Sequence, residues 1–545
     1  EGEKAEIVIA NSPFGSGVAD PDQFGTGIIV FGKLSMHGSV RTPTFVRLAA
    51  EPHTNDTTLT LSAPVPGWAV GDRIVLPDTR HIKESEVTPA NGWRNAVNQW
   101  EERTVQAISG TTLTLSALAF DHLGAHAVLE NGTPEVLLPH LGNLTRNVIV
   151  RSESATGTRG HMMGIQRADV DIRYALFKDL GRTTYLPLNT TTNHIGRYPI
   201  HMHHLSGPPP NATPANGFQF TLIGNAVDGG SVETKFKWGM TVHGSHYGLI
   251  QDNVVYNYNG AAIATEDGSE SFNVFDHNFA LRGIGQPDEP GAAEPQDQAR
   301  MANGTEGVGF WFRGPNNYVR NNVAANFQNP TTEASMGFVL QFRKLGGIAV
   351  PNFKGADVTV GSQLSAVDGN NLPLLQFENN EAYGAMQGGM TYWWINSLDP
   401  SAPYPNELES VVKNFTAWHI YNKAVYIYPG AKVTFDGLKI RGTYIDGVSR
   451  CCGDGVFFAD YMAKAIVIKN ADIQGMQEGI IAPEAGHGSP VPNLTIDNSF
   501  LRNLQNVNVP IVGSVNNCWM EDKLVVINNT RFAAPQGQPL RTIGM

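Results

Sequence analysis

Leu249-Ile-Gln-Asp-Asn-Val-Val-Tyr-Asn257 sets the beat of this chain: two apolar residues, polar residues ending in Asn, then a second apolar run that stops at a turn residue. Val274-Phe-Asp-His-Asn-Phe-Ala-Leu281 and Tyr318-Val-Arg-Asn-Asn-Val-Ala-Ala-Asn326 repeat it. The apolar runs are too short for helices and carry no 3.6-residue period, so they read as strands between turns. The beat recurs at Asn225, Asn380, Asn414, Asp436, Asn470, Asn498 and Asn529. Spacings of 28 (225 to 253), 25 (253 to 278), 22 (414 to 436) and 28 (470 to 498) are near one coil of a β-helix, and the 44 residues from 278 to 322 imply an inserted loop. A repeat of this length without helical periodicity means stacked strands, each coil burying its inward face against the next. The expected fold is all-β, a right-handed parallel β-helix over residues 156–530. Its turn asparagines adopt the left-handed conformation and hydrogen-bond the same residue one coil on, forming a ladder.

Upstream, residues 1–155 read as a β-rich region, a barrel or sandwich packed on the end of the helix. Thr57-Thr-Leu-Thr-Leu-Ser62 recurs as Thr111-Thr-Leu-Thr-Leu-Ser116, each alternating apolar and hydroxylated residues as a half-buried strand does, with Trp68-Ala-Val-Gly-Asp-Arg-Ile-Val-Leu76 a turn into another strand. The first residues, EGEKAEIVIA, already form a strand pattern, as expected of a chain that starts inside a domain. Residues 531–545 are left as a tail. Two segments, Ser206 to Gly217 with Pro208, Pro209 and Pro210 in a row and the acidic Gly285 to Gly307, are too polar and too rich in breakers for strands, and are expected to wall a groove.

With 58 Gly and only 16% charged residues, composition favours many turns and argues against a helical solenoid. The formal charge of −12, from 38 basic and 50 acidic residues without a basic run, argues against a nucleic-acid partner. No apolar stretch approaches the roughly 18–20 residues of a membrane-spanning helix. Cys451, Cys452 and Cys518 match no zinc spacing; a vicinal pair or one bridge to Cys518 suits an oxidising compartment, and free thiols fit equally.

The segment that carries chemistry is Gly196-Arg-Tyr-Pro-Ile-His-Met-His-His-Leu205. In a strand, alternation sends Ile200, Met202 and His204 inward and His201 and His203 outward. Met240-Thr-Val-His-Gly244 then points Val242 in and His243 out, and Gly160-His-Met-Met-Gly164 points His161 out. Spacings of 40 residues, 161 to 201 and 203 to 243, suggest one coil plus a loop, and 23 residues beyond His243 come Glu266 and Asp267. Coils lie about 4.8 Å apart, so outward histidines on neighbouring coils approach metal-binding distance. His161, His201, His203 and His243 are the expected metal ligands. Imidazoles suit Zn or Cu first, then Fe or Ni, while Ca prefers an all-oxygen site. A metal-free site with the histidines as acid and base is the alternative. Glu266 and Asp267 are candidates for proton transfer, for a further metal ligand, or for a plain turn. Arg197 and Tyr198 are placed to hold a carboxylate and stack on a sugar ring. Trp238, Trp311, Trp393 and Trp394 fit either a sugar platform or the core.

GRYPIHMHHL, TVHGSHYGLIQDNVVYN and TEDGSESFNVFDHN resemble stretches of the cell-migration-inducing and transmembrane hyaluronidases and their bacterial relatives. Gly27-Ile-Ile-Val-Phe-Gly-Lys-Leu-Ser-Met-His-Gly38 resembles the end of the β domain, named for its eight glycines, that precedes the helix there. The likeness is closest over Gly160 to Asn278, weaker over Gly25 to Ser154, and thin beyond Gly346. It implies an extracellular or secreted protein (a bacterial periplasm being the variant) of pectin-lyase-like architecture that acts on a polysaccharide, hyaluronan being the family's substrate. It maps the family's motifs onto His161, His201, His203, His243, Glu266 and Asp267. Against that family the sequence is expected to lack most of the glycine-named domain and the further domains of the animal proteins, and His204 and the proline-rich loop point to a specificity of its own. The leading expectation is a metal-dependent hydrolase or lyase of polysaccharides. A copper or iron oxidoreductase on the same histidines and a non-catalytic glycan-binding β-helix stand beside it.

Overall fold

The computed structural model describes residues 3–12, 24–81, 99–184, 188–189, 192–209, 217–230, 236–285, 307–328, 335–341, 347–369, 372–393, 409–428, 431–443, 453–459, 463–483, 491–510 and 523–544. Cys451, Cys452, Cys518, Trp394, and most of the expected loops at 206–217 and 285–307 lie outside them. Three long parallel sheets run the length of the molecule, two of 13 strands and one of 12. Sheet A begins with Ala5–Ile9, sheet B with Ile28–Val30 and sheet C with Lys33–His37, and the chain visits A, B and C in turn on every coil. Parallel strands joined by such crossovers take the right-handed sense. Among the described residues no helix is long and apolar enough to cross a membrane.

The coil limits differ from the expected domain limits. Ala5–Ile9 pairs in parallel with Val148–Ser152, Ile28–Val30 with Met162–Gln166, and Lys33–His37 with Asp169–Arg173. The helix therefore begins near residue 5 rather than 156, and the region 1–155 comprises a first coil plus an inserted module. At the other end Arg531–Ala533 and Ile543–Gly544 are strands of sheets A and B, so the expected tail is coil. A three-residue strand looks the same in a barrel or a coil; only its distant partner tells them apart.

The inserted module has a four-stranded antiparallel sheet (Phe45–Arg47, His140–Asn143, Arg73–Leu76, Glu101–Thr104), a three-stranded one, and a hairpin of Ala125–Val128 with Pro134–Leu137. The two repeated threonine-leucine segments pair with each other, Leu59 opposite Leu113. The module has its own core around Leu59, Trp68, Ile74 and Leu113. Its other face lies on the flank of sheet A rather than on the end of the helix: Phe45, Val75 and Leu144 pack against Val254, Tyr256, Phe279 and Trp418. Arg73 bridges to Asp228 at 3.1 Å and Glu135 to Arg441 at 2.6 Å across this interface. Sheet A is thus covered on both faces, and the outer face of sheet B is the one that carries the histidines.

Inside the helix Asn225, Asn253, Asn278, Asn322 and Asn380 form a buried ladder, each side-chain N–H donating to the next amide oxygen at 2.9–3.0 Å. The left-handed residues form a separate column one position earlier, among them Asp252, His277, Asn321, Asn379, Asn414, Asn470, Asn498 and Asn529. The sequence beat had merged the two. In the outer column Asn414 donates to Asn379 at 2.9 Å and Asn498 to Asn470 at 2.7 Å.

Candidate metal and catalytic site

Sheet B brings together the strands Met162–Gln166, Ile200–Leu205, Met240–His243 and Ala261–Thr265. Ile200 and Met202 fill the core as alternation requires, and His203 lies opposite His243, on the expected spacing. His161 is not in register with His201, whose partner is Met163. It is buried two residues earlier, just ahead of the strand Met162–Gln166, where Arg182 Nη1 sits 3.0 Å from its Nδ1. Burial, with the charges of Arg182 and Arg197, holds its pKa well below the usual histidine value. It belongs to neither of the two metal-ligand groupings among the described residues.

His201, His203 and His243 do converge: each offers a ring nitrogen within 4.8 Å of the others. His203 Nδ1 and His243 Nδ1 are 2.9 Å apart. Glu266 enters from the next coil, its Oε2 3.4 Å from His243 Nδ1 and 3.6 Å from His201 Nε2. His201 Nδ1 lies 2.7 Å from the carbonyl oxygen of Gly196. A carbonyl only accepts, so the ring proton sits on Nδ1 and the Nε2 lone pair faces the carboxylate. His201 Nε2 and Glu266 Oε2 are both buried without a hydrogen-bond partner among the described residues. Two facing acceptors leave a gap suited to a cation.

Burial, the histidine charges and Arg197 hold His201 well below the usual histidine value, and His203, under burial and the charges of His243 and His204, falls to about 3. His243 goes the other way. Burial would lower it, but Asp267, Glu266 and Glu270 together lift it to about 9. Its Nε2 is 3.2 Å from Asp267 Oδ2. Without a metal, protonated His243 is the cation of this cluster; the other two rings stay neutral and free to coordinate.

The side chains flanking the cluster have different roles from those expected. Tyr198 is fully buried with its ring 4.7 Å from that of Trp238; its hydroxyl donates to Glu266 Oε1 at 3.2 Å, and burial together with the Glu266 charge raises its pKa well above the ordinary phenol value. Arg197 is buried too, giving Nη1 to the Ile195 carbonyl and lying over Phe24. Trp238 and Trp311 are buried in an apolar cluster with Tyr198 on the outer side of sheet B, so neither is an open sugar platform. Trp393 lies on a strand whose side chain there is not described.

Arg313 and Glu270, absent from the expected site, belong to it, and His204 lies in it by a route that alternation did not give. Arg313 donates to the Glu266 carbonyl at 2.8 Å, its guanidinium 3.9 Å from the Trp311 ring. Glu270 is buried and accepts the backbone N–H groups of Gly244, Asp267 and Gly268, pinning the turn that presents Glu266 and Asp267. His204, expected inward, has φ +46° and lies with its ring 4.5 Å from that of His203 and 4.6 Å from that of His243. Nothing in alternation signals a residue that leaves it. A hairpin of Gly347–Pro351 with Leu364–Asp368 also reaches back, Arg167 donating to Gly355 O at 2.8 Å and Val358 N to Ser206 Oγ at 3.3 Å.

Residues 157–390 match the family model described as CEMIP beta-helix. Human fibrocystin-L is 26% identical over 492 residues, 82% of this chain and 10% of that protein. The human cell migration-inducing and hyaluronan-binding protein is 27% identical over 367 residues, 62% of this chain and 23% of that protein. Human cell surface hyaluronidase CEMIP2 is 26% identical over 226 residues, 35% of this chain and 14% of that protein. The chain spans about a tenth of the length of fibrocystin-L, 10% for the human protein. The stretch that matches this family model, residues 157–390, contains every histidine and carboxylate of the cluster.

Proposed function

We propose that this chain is an extracellular enzyme that cleaves a polysaccharide, hyaluronan or a close relative of it, using a transition-metal ion held by His201, His203, His243 and Glu266. The observation that carries the proposal is the pair of buried, unpartnered acceptors, His201 Nε2 and Glu266 Oε2, facing each other 3.6 Å apart beside two further imidazoles. A tetrahedral ion with bonds of about 2.0–2.1 Å has ligand edges of about 3.4 Å. The observed separations of 2.9, 3.4 and 3.6 Å lie around that value. Three nitrogens and one oxygen suit Zn or Cu ahead of Fe or Ni, and suit Ca poorly. Glu266 takes the place expected for His161. The substrate class is suggested by the relatives named for hyaluronan binding and hyaluronidase activity.

Such an ion would supply a Lewis acid, and an acidified water if it takes that water as a fifth ligand. The chain does the rest. Gly196 and Asp267 fix the tautomers of His201 and His243 from behind. Tyr198 and Arg313 hold Glu266 by its carboxylate and its carbonyl. Asp267 is the more exposed carboxylate, at 23% against 3% for Glu266, and, with no ion bound to it, is the group placed to exchange a proton with substrate.

The test is elemental analysis of the purified chain alongside the chain-length distribution of hyaluronan after incubation. Bound transition metal, shortening of the polymer, loss of shortening on chelation and its return with added metal are the expected results. Full activity in a metal-stripped protein overturns the metal, and binding of the polymer without shortening overturns the enzyme.

A further inference from the structure

We infer that the solvent side of His243 is a second seat for a divalent transition cation, formed by His204, Asp267 and His243 Nε2, so that the His243 ring bridges two ions. The inference rests on the metal proposed above at His201, His203, His243 and Glu266 and extends it.

The ring of His243 presents its two nitrogens to two different carboxylates: Nδ1 is 3.4 Å from Glu266 Oε2 and Nε2 is 3.2 Å from Asp267 Oδ2. His204, His243 and Asp267 offer ligand atoms within 4.8 Å of one another, the same closeness as the inner trio. His204 gets there through a departure from strand alternation. The pairing with the preceding coil runs Ile165 to His203 and then skips to Gln166 with Leu205, so His204 is the extra residue of a bulge. Leu205 takes the core position that alternation had assigned to His204. The neighbouring coil leaves room for the ring, since a Cβ at Gly244 would stand 2.7 Å from His204 Nδ1.

An Asp267 that only oriented His243 would need neither the bulge nor the second imidazole. Two imidazoles and a carboxylate form a set that takes Cu, Zn, Ni or Fe, and each ion has one carboxylate of its own. When the outer ion binds, the proton on His243 Nε2 passes to solvent. The resulting imidazolate offsets part of the repulsion between the cations.

The experiment loads the purified chain with Cu(II), removes excess, and measures copper per chain and electron paramagnetic resonance intensity. Two ions per chain are expected, with resonance well below the two-ion sum because an imidazolate couples the spins. His204→Ala and Asp267→Asn are each expected to bind one ion, at full one-ion intensity, with unchanged circular dichroism. One ion in the wild type overturns the second seat, whatever the variants do, and leaves the inner site standing. Two ions with uncoupled spectra, or two ions retained in both variants, put the second ion elsewhere and overturn it as well. No bound copper overturns the second seat, and the elemental analysis of the protein as purified then decides the inner site separately.

Discussion

The interior asparagines and the outer histidines are both columns of polar side chains stacked at the coil spacing of one β-helix, yet their chemistry is opposite. In the ladder every amide found a partner: Asn278 accepts from Asn253 and donates to Asn322 and to the Ile250 carbonyl, all near 2.9 Å. In the histidine face two buried acceptors, His201 Nε2 and Glu266 Oε2, have none among the described residues. An amide is donor and acceptor at once, so a stack of identical amides satisfies itself. A stack of imidazole lone pairs and a carboxylate does not, and is completed only by a proton or a cation. His201 and Glu266 are as buried as the asparagines; the supply of donors separates a structural column from a candidate site.

The largest contrast is expected on deleting one member of each column. His201→Ala should cut polymer cleavage by ~10³-fold or more, the several kcal/mol a metal contributes to a transition state, with little change in thermal midpoint. Asn278→Ala should do the reverse, lowering unfolding free energy by about 3 kcal/mol as its neighbours lose their partners, with metal content and activity intact at temperatures where it is folded. If Asn278→Ala loses metal or His201→Ala unfolds, the distinction between the columns fails. Denaturant melts and activity assays on the same preparations decide it.

A finer cut is Tyr198→Phe, which removes only the hydroxyl that donates to Glu266 Oε1. A hydrogen bond to a charged group is worth about 1.5–3 kcal/mol, so cleavage should fall roughly 10- to 100-fold. Metal content should stay at the wild-type level. Unchanged activity would show that Glu266 needs no positioning from this side.

The smallest effect concerns a third column on sheet B, where Lys423, Asp454 and Glu478 are register partners. Burial, then the Glu478 charge, raises the Asp454 carboxyl to about 7. A carboxyl raised in the folded chain binds its proton there while the unfolded chain has already lost it. Stability from this group is therefore full at pH below the ordinary carboxyl value and falls as pH rises toward about 7. Asp454→Asn should flatten the decline in thermal midpoint between about pH 4 and pH 7. An identical pH profile in the variant would remove Asp454 from this role. The histidine site, several coils away, should bind metal as before.

The β-helix could be read from the beat of apolar runs and asparagines because each coil repeats the same local demand. The outward direction of His201, His203 and His243 followed from alternation, a property of any strand. The place of His161 did not follow, because equal spacings of 40 residues at 161–201 and 203–243 conceal registers that differ by two. Arg197 and Tyr198 were read as exposed recognition groups, but burial depends on what packs against them: Phe24 on Arg197, and Trp238, Trp311 and Glu266 around Tyr198. His204 was assigned inward because alternation has no term for a bulge.

The sequence by itself determined the architecture and most of the candidate ligands, since stacking of short strands is set by residues close together in the chain. Only the tertiary structure decided where the helix begins, that the module covers sheet A and not the end, and that Glu266 rather than His161 closes the histidine trio. Those outcomes depend on registers between strands separated by loops of unequal length, and a register is fixed by the packing of whole coils, not by spacing along the chain.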